Sequence, residues 1–192
     1  VHFACAGGNL NILRKLEQEG YSLNEPDKEG NIPSCYAAIF GHLKIIKYLW
    51  TKGAEIISYN RFLGWPTTFE VACLYGNLNI VKFLYETIFP TVNENDQKTM
   101  INGSNWYETT PFHYACASGN AELVKYLIEI GEFSSQIQMF DKKGMNPLCY
   151  ACCFGSLNVV KVLLKSGKIK LHSMKKKHLP LVDAAMNGHF DI

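Results

Sequence analysis

The stretch Thr110-Pro111-Phe112-His113-Tyr114-Ala115-Cys116-Ala117-Ser118-Gly119-Asn120-Ala121-Glu122-Leu123-Val124-Lys125-Tyr126-Leu127 decides the fold. Proline near its start suits the first turn of a helix, where the missing N–H has no intrahelical partner. Gly119 can take positive φ and reverse the chain. After it, apolar residues return at helical spacing. The stretch reads as a short helix, a tight turn and a longer helix.

The same phrase recurs along the 192 residues. An alanine, a few small or mixed residues, a glycine and a polar residue precede each apolar run. The glycines are Gly8, Gly41, Gly76, Gly119, Gly155 and Gly188, spaced by 33, 35, 43, 36 and 33 residues. The runs after them read GNLNILRKL, GHLKIIKYL, GNLNIVKFL, GNAELVKYL, GSLNVVKVLL and GHFDI. In the second run, Leu43, Ile45, Ile46, Leu49 and Trp50 make one broad apolar face, with Lys44, Lys47 and Lys52 outside it. A shorter helix is expected before each turn, over Ser34 to Phe40, Thr68 to Tyr75, Pro111 to Ser118 and Pro147 to Phe154. One such unit is too small to bury its own apolar face, whereas stacked neighbours bury a continuous core. The expected architecture is all-α: helix-turn-helix repeats stacked into a solenoid, with projecting turns or short hairpins. A single array over 1–192 divides into repeats at 1–24 (partial), 25–58, 59–104, 105–138, 139–172 and 173–192 (partial).

This repeat resembles that of the ankyrin family. Thr110-Pro111-Phe112-His113-Tyr114-Ala115 followed by Gly119 is similar to the family's T-P-L-H-x-A signature. Asp27-Lys28-Glu29-Gly30-Asn31-Ile32-Pro33 and Asp141-Lys142-Lys143-Gly144-Met145-Asn146-Pro147 are similar to the turn that opens each of its repeats. The likeness covers nearly the whole chain and recurs six times. It implies an ankyrin-like solenoid whose motif histidines, here His2 and His113, make hydrogen bonds joining neighbouring turns. Two repeats depart from the pattern. The third reads Gly64-Trp65-Pro66-Thr67-Thr68-Phe69-Glu70, with Glu70 in the histidine slot. The fourth has Glu108 where the turn expects glycine. Both leave the shape of those turns open.

Composition agrees with an ordinary globular chain: 47% of residues are hydrophobic, enough to bury a core. Nineteen basic and seventeen acidic residues give +2, which argues for neither nucleic acid nor acidic lipid as an obligatory partner. No apolar run approaches the ~20 residues that span a bilayer, so no membrane insertion is expected. Val1 falls in mid-motif, and the native N-terminus is expected to lie before it. Seven cysteines without a disulfide framework point to a reducing compartment, hence an intracellular, cytoplasmic location. The sequon Asn102-Gly103-Ser104 would matter only in a secreted protein.

Several residues look like chemistry. Cys149 and Cys152 form a C-x-x-C, yet Cys5, Cys73, Cys116 and Cys152 all follow the motif alanine directly, in the slot that Ala38 and Ala185 occupy elsewhere. A slot shared by Ala and Cys is a tight packing position. Cys35 and Cys149 replace the motif histidine. Equivalent slots sit about one repeat apart, whereas zinc needs four converging ligands. His113 beside Cys116 could be a base and nucleophile, but no third orienting group or oxyanion site accompanies them. Phosphate-loop, dinucleotide and zinc-protease motifs are absent from the sequence. The chain is therefore expected to be no enzyme and to need no metal, cofactor or small-molecule substrate.

The expected function is binding of a partner protein or protein segment. By resemblance, the partner meets the turn tips and the concave inner-helix surface. The residue before each glycine faces that surface: Gly7, Phe40, Tyr75, Ser118, Phe154 and Asn187, preceded by Ala6, Ile39, Leu74, Ala117, Cys153 and Met186. Phe40, Tyr75 and Phe154 are expected either to form an apolar binding stripe or to fold down between inner helices as packing. The tips add Lys28, Glu29, Asn31, Trp106, Tyr107, Thr109, Lys142, Lys143 and Met145, with Arg61, Phe62 and Trp65 near the irregular third turn. Trp and Tyr are enriched among the residues that dominate binding energy. Thr110, Pro111, Gly41, Gly76, Gly119 and Gly155 are structural motif residues. The polar insertion near 91–104 reads as a surface loop or as an outer helix prolonged past Leu84. Lys165, Lys168, Lys170, Lys175, Lys176 and Lys177 read as an acidic-partner patch, a nuclear-import patch or a solvated loop. The alternative function is a structural spacer in a larger protein, with no ligand of its own.

Overall fold

The computed structural model describes residues 1–57, 67–103, 107–169 and 179–192. Trp65, Trp106, Arg61, Phe62 and most of the lysine-rich stretch lie outside the described residues. The chain forms two compact units, Val1–Asn93 and Glu94–Ile192. Among the described residues every regular element is helical.

In the first unit, α1 (His2–Ala6), α3 (Pro33–Ile39) and α5 (Thr68–Leu74) are the short inner helices, each packed on the next. The outer helices are α2 (Leu10–Gln18), α4 (Leu43–Thr51) and α6 (Leu78–Phe83). The apolar stripe seen in the sequence is the buried one: Ile45, Ile46 and Leu49 of α4 are buried, and Lys44 and Lys47 are exposed. Gly41 shows why the turn between helices needs glycine. Its φ is +75°, and the reversal lets His42 N–H reach back to the Ala37 carbonyl at 2.8 Å, satisfying a carbonyl left over by the helix end.

In the second unit, α8 (Pro111–Ala117), α10 (Pro147–Cys153) and α12 (Pro180–Met186) form the inner layer, and α9 (Ala121–Ile130) and α11 (Leu157–Lys165) the outer one. A proline opens each of these inner helices at its first turn.

The insertion is where the structure adds most. α6 runs on into a π-helical turn, Leu84–Ile88, and a 3₁₀ turn, Phe89–Thr91. A separate helix, α7 (Glu94–Asn102), follows within the second unit. The polar stretch is thus a helix and not a loop. Its Met100 is buried. A 3₁₀ helix, Glu132–Gln138, packs on α7, α8 and α9 and buries Phe133 and Ile137. Gln136 sits at the junction, fully buried. Its amide donates to the Ile101 carbonyl of α7 and accepts from the Phe112 N–H of α8 at 3.2 Å. Both ends of a buried amide are thereby satisfied.

Two departures from the motif are accommodated by substitution. Glu108 has φ +59°, the left-handed region that Gly30 and Gly144 occupy in the ordinary opening turns. Glu70 takes over the capping half of the histidine's role. Its carboxylate accepts from Thr67 N–H at 2.7 Å, while Thr67 Oγ1 accepts from Glu70 N–H at 3.1 Å. This reciprocal pair caps α5.

Candidate protein-binding surface

Within each unit, two sets of side chains tie neighbouring repeats together and so hold the surface in shape. The first is built on the motif histidines. His113 Nδ1 accepts from the Thr110 backbone N–H at 3.2 Å and from its hydroxyl at 2.8 Å. His113 Nε2 then carries the proton and donates toward the Met139 and Met145 carbonyls at 3.1 and 3.3 Å. Burial pushes the imidazole down to about 4, so the neutral tautomer is the one present near neutrality. His2 Nε2 makes the equivalent bond to the Asn31 carbonyl at 3.0 Å. The cross-turn bonds implied by the family resemblance are therefore present.

Each histidine also meets a tyrosine of the following repeat edge-on: His2 with Tyr36 at 5.4 Å and His113 with Tyr150 at 5.1 Å. Each tyrosine hydroxyl donates to the turn aspartate nine residues earlier, Tyr36 to Asp27 at 2.6 Å and Tyr150 to Asp141 at 2.8 Å. Those aspartates shape the projecting turn. Asp27 Oδ1 accepts from Glu29 and Asn31 N–H, and Asp141 Oδ1 from Met145 N–H. Burial pushes the Asp27 carboxyl up, but the hydrogen bonds from Tyr36, Asn31 and Glu29 outweigh it and hold the carboxyl below its ordinary value.

The second set escaped the sequence reading. The residue after each glycine was only a polar position there. In the structure His42 Nε2 reaches back to the Ala6 carbonyl at 2.8 Å, and His189 Nε2 to the Cys153 carbonyl at 3.1 Å. Asn77 Nδ2 donates to Ala38 and Ile39 carbonyls at 2.6 and 3.2 Å. These side chains lie over the preceding turn. A Cβ on Gly8 would come within 2.7 Å of the His42 ring, and one on Gly155 within 2.6 Å of the His189 ring. Aligning the slot (Asn9, His42, Asn77, Asn120, Ser156, His189) shows hydrogen-bonding side chains throughout, a signal that was available.

On this frame stand the aromatics before the glycines. Phe40, Tyr75 and Phe154 are 57%, 54% and 59% exposed. They project and do not fold down between helices. Phe40 stacks on His42 at 6.4 Å, and Phe154 on Tyr150 at 6.4 Å. Ile39 and Leu74 beside them are half-buried. Phe40 and Tyr75 belong to the first unit, and Phe154 to the second. At the tips, Lys28, Lys142 and Lys143 are exposed, Met145 is half-buried, and Tyr107 is 59% exposed. The glycines and Thr110–Pro111 have the structural places expected, with Thr110 and Pro111 buried.

The cysteines are packing residues. Cys5, Cys35, Cys73, Cys116, Cys149 and Cys152 are buried. Burial pushes the thiols of Cys5, Cys35 and Cys149 up to about 11 and that of Cys152 to about 12, and raises that of Cys116 well above its ordinary value. Thiols so shifted are protonated and poor nucleophiles at neutral pH. Both nitrogens of His113 are occupied, which leaves none to take a proton from Cys116. Among the described residues no three His, Cys, Asp or Glu side chains gather as metal ligands, and no helix is long and apolar enough to cross a membrane.

The family profile described as ankyrin repeats (3 copies) matches residues 1–96, 69–173 and 133–192. The chain belongs to the ankyrin-repeat family. Ankyrin repeats are protein–protein interaction modules, and the helix pairs, hairpin turns and histidine bonds above are the ankyrin architecture in this chain. Three curated relatives carry similar repeats. The probable 26S proteasome regulatory subunit p28 of Saccharomyces cerevisiae is 29% identical over 121 residues, 58% of this chain and 53% of that protein. Ankyrin repeat and SAM domain-containing protein 6 of Mus musculus is 29% identical over 85 residues, 44% of this chain and 10% of that protein. Transient receptor potential cation channel subfamily A member 1 of Homo sapiens is 31% identical over 100 residues, 50% of this chain and 9% of that protein. The alignments thus span about half of the first relative and about a tenth of the other two.

Proposed function

We propose that this chain is an intracellular, non-catalytic module that binds a partner protein or protein segment through its turn tips and inner-helix surface. The supporting observation is the exposure of large aromatics at one equivalent position, Phe40 and Tyr75 on successive repeats of the first unit and Phe154 in the second. Burying such rings against a partner is a favourable source of binding energy, and the frame beneath them is fixed by hydrogen bonds, which limits the ordering cost of binding. Trp106 and Trp65 join the site on their sequence position alone. The proposal keeps the repeat bounds given above. The yeast relative is named as a regulatory subunit of a larger assembly, a role that requires contacts with other proteins.

The test is a photo-cross-linking residue placed at Tyr75 or Phe154, with exposed Lys161 on the outer helix as the control position. The expected result is a discrete adduct from Tyr75 and from Phe154 that Lys161 does not give, with the Tyr75 adduct diminished by Phe40→Ala. Equal labelling from all three positions would overturn the proposal and favour a spacer without a ligand of its own.

A further inference from the structure

One face of the second unit combines charge with aromatic surface. Lys142 N–H donates to the Tyr107 carbonyl at 2.8 Å, which joins the tips of two successive repeats. The adjacent Lys143 places its ammonium 5.7 Å from the centre of the Tyr107 ring. Thr109, two residues after Tyr107, meets the Tyr150 hydroxyl at 3.3 Å, and that hydroxyl donates to Asp141 beside Lys142. The exposed Phe154 ring stacks on Tyr150. Tyr107, Lys143 and the Phe154–Tyr150 pair therefore line one surface within a single unit. Among the described residues no carboxylate lies within ion-pair distance of Lys143. One acid lies at the face: Glu108, exposed at the tip beside two exposed lysines, whereas Asp183 of α12 turns its carboxylate inward to the buried Cys149 thiol.

We propose that this face takes an acidic protein segment, one with an Asp or Glu next to an aliphatic or aromatic side chain. The carboxylate meets Lys143 above Tyr107, and the apolar side chain lies on the Phe154–Tyr150 pair. A cation held over an aromatic face gives a directed contact for a carboxylate, and the neighbouring rings supply area that favours an apolar residue. The proposal rests on the protein-binding reading above and adds the partner's chemistry.

The test uses two fluorescent synthetic peptides on the whole chain. One alternates Asp or Glu with Leu and Phe, and the other has Lys in place of every acid. The expected result is binding of the acidic peptide at least about tenfold tighter than the basic one, weakened by salt. Lys143→Glu should reverse that preference, with an unchanged circular dichroism melt because the lysine is exposed. Lys161→Glu makes the same change in net charge on the outer helix and should leave the preference intact. Equal weakening by both charge reversals would show a diffuse field and overturn the proposal. Equal binding of both peptides, lost in Phe154→Ala, would overturn the acidic partner while sustaining the protein-binding reading. Binding of neither peptide would also overturn it, and the cross-linking experiment then judges the broader reading separately.

Discussion

Replacing Gly41 with alanine separates two reasons for a glycine in the turn between helices. The first is backbone: φ is +75°, where an L side chain costs about 1–2 kcal/mol. Alanine also restricts the unfolded chain, which returns about 0.4–1 kcal/mol, so strain alone leaves a loss near 1 kcal/mol. The second is contact. The added Cβ would stand 2.8 Å from Asn77 Oδ1. The amide can withdraw only by loosening its bonds to the Ala38 and Ile39 carbonyls, each worth roughly 0.5–1.5 kcal/mol net. The expected total is about 2–3 kcal/mol. Gly53→Ala is the matched control, because Gly53 has φ +69° and a Cβ there meets nothing within 4 Å. It should cost only about 1 kcal/mol, the strain share. Urea titrations followed by far-ultraviolet circular dichroism would give both values, a loss of 2–3 kcal/mol lowering the midpoint by roughly 1 M. In an Asn77→Ala background, Gly41→Ala should fall to the cost of Gly53→Ala, the coupling expected of contacting residues. Equal losses for Gly41→Ala and Gly53→Ala in the parent chain would refute the view that Asn77 clamps the turn.

Glu108→Gly should relieve a side chain held at φ +59° and raise stability by up to about 1 kcal/mol, part of the relief being offset by the freedom glycine gains when unfolded; a lower urea midpoint would count against the strain. His113 gives a pH signature. Its folded value is depressed from 6.5 to about 4, so the unfolded chain takes up the proton first. Its contribution is complete above pH 6.5 and is lost as pH falls toward 4, by about 3 kcal/mol on the order-of-magnitude scale of linkage. Glu70, raised by burial to about 7, acts oppositely: its contribution is present below pH 4.5 and is lost as pH rises toward 7. The measurement is therefore the difference in stability between the parent and His113→Gln from pH 7 to pH 4, and a difference that does not change with pH contradicts the buried neutral imidazole. Cys116→Ser should cost roughly 1–3 kcal/mol by burying a hydroxyl, with Cys116→Ala milder. Negligible losses for both in a denaturant titration would contradict a packed thiol.

The sequence by itself determined the repeat, the paired helices, the apolar stripe and the packing role of six cysteines. These follow from local rules: helical periodicity, a proline at a first turn, a glycine at a reversal, and one slot shared by Ala and Cys. The tertiary structure decided which polar side chains bind the repeats together. His42, Asn77 and His189 bond to carbonyls 36–39 residues away, and spacing along the chain does not encode a partner at that range. It also showed how two departures from the motif are absorbed: Glu70 caps α5 with an acceptor as histidine caps α8, and Glu108 takes the backbone angle of glycine. For the insertion the sequence left a surface loop or an outer helix prolonged past Leu84; the helix does run on past Leu84, but α7 beyond it was not legible. That helix is held through Gln136, which bonds to both α7 and α8, so the segment depends on contacts outside itself. Exposure of Phe40, Tyr75 and Phe154 was likewise open in the sequence, because a ring before a glycine can pack or project, and only the positions of the neighbouring inner helices decide which.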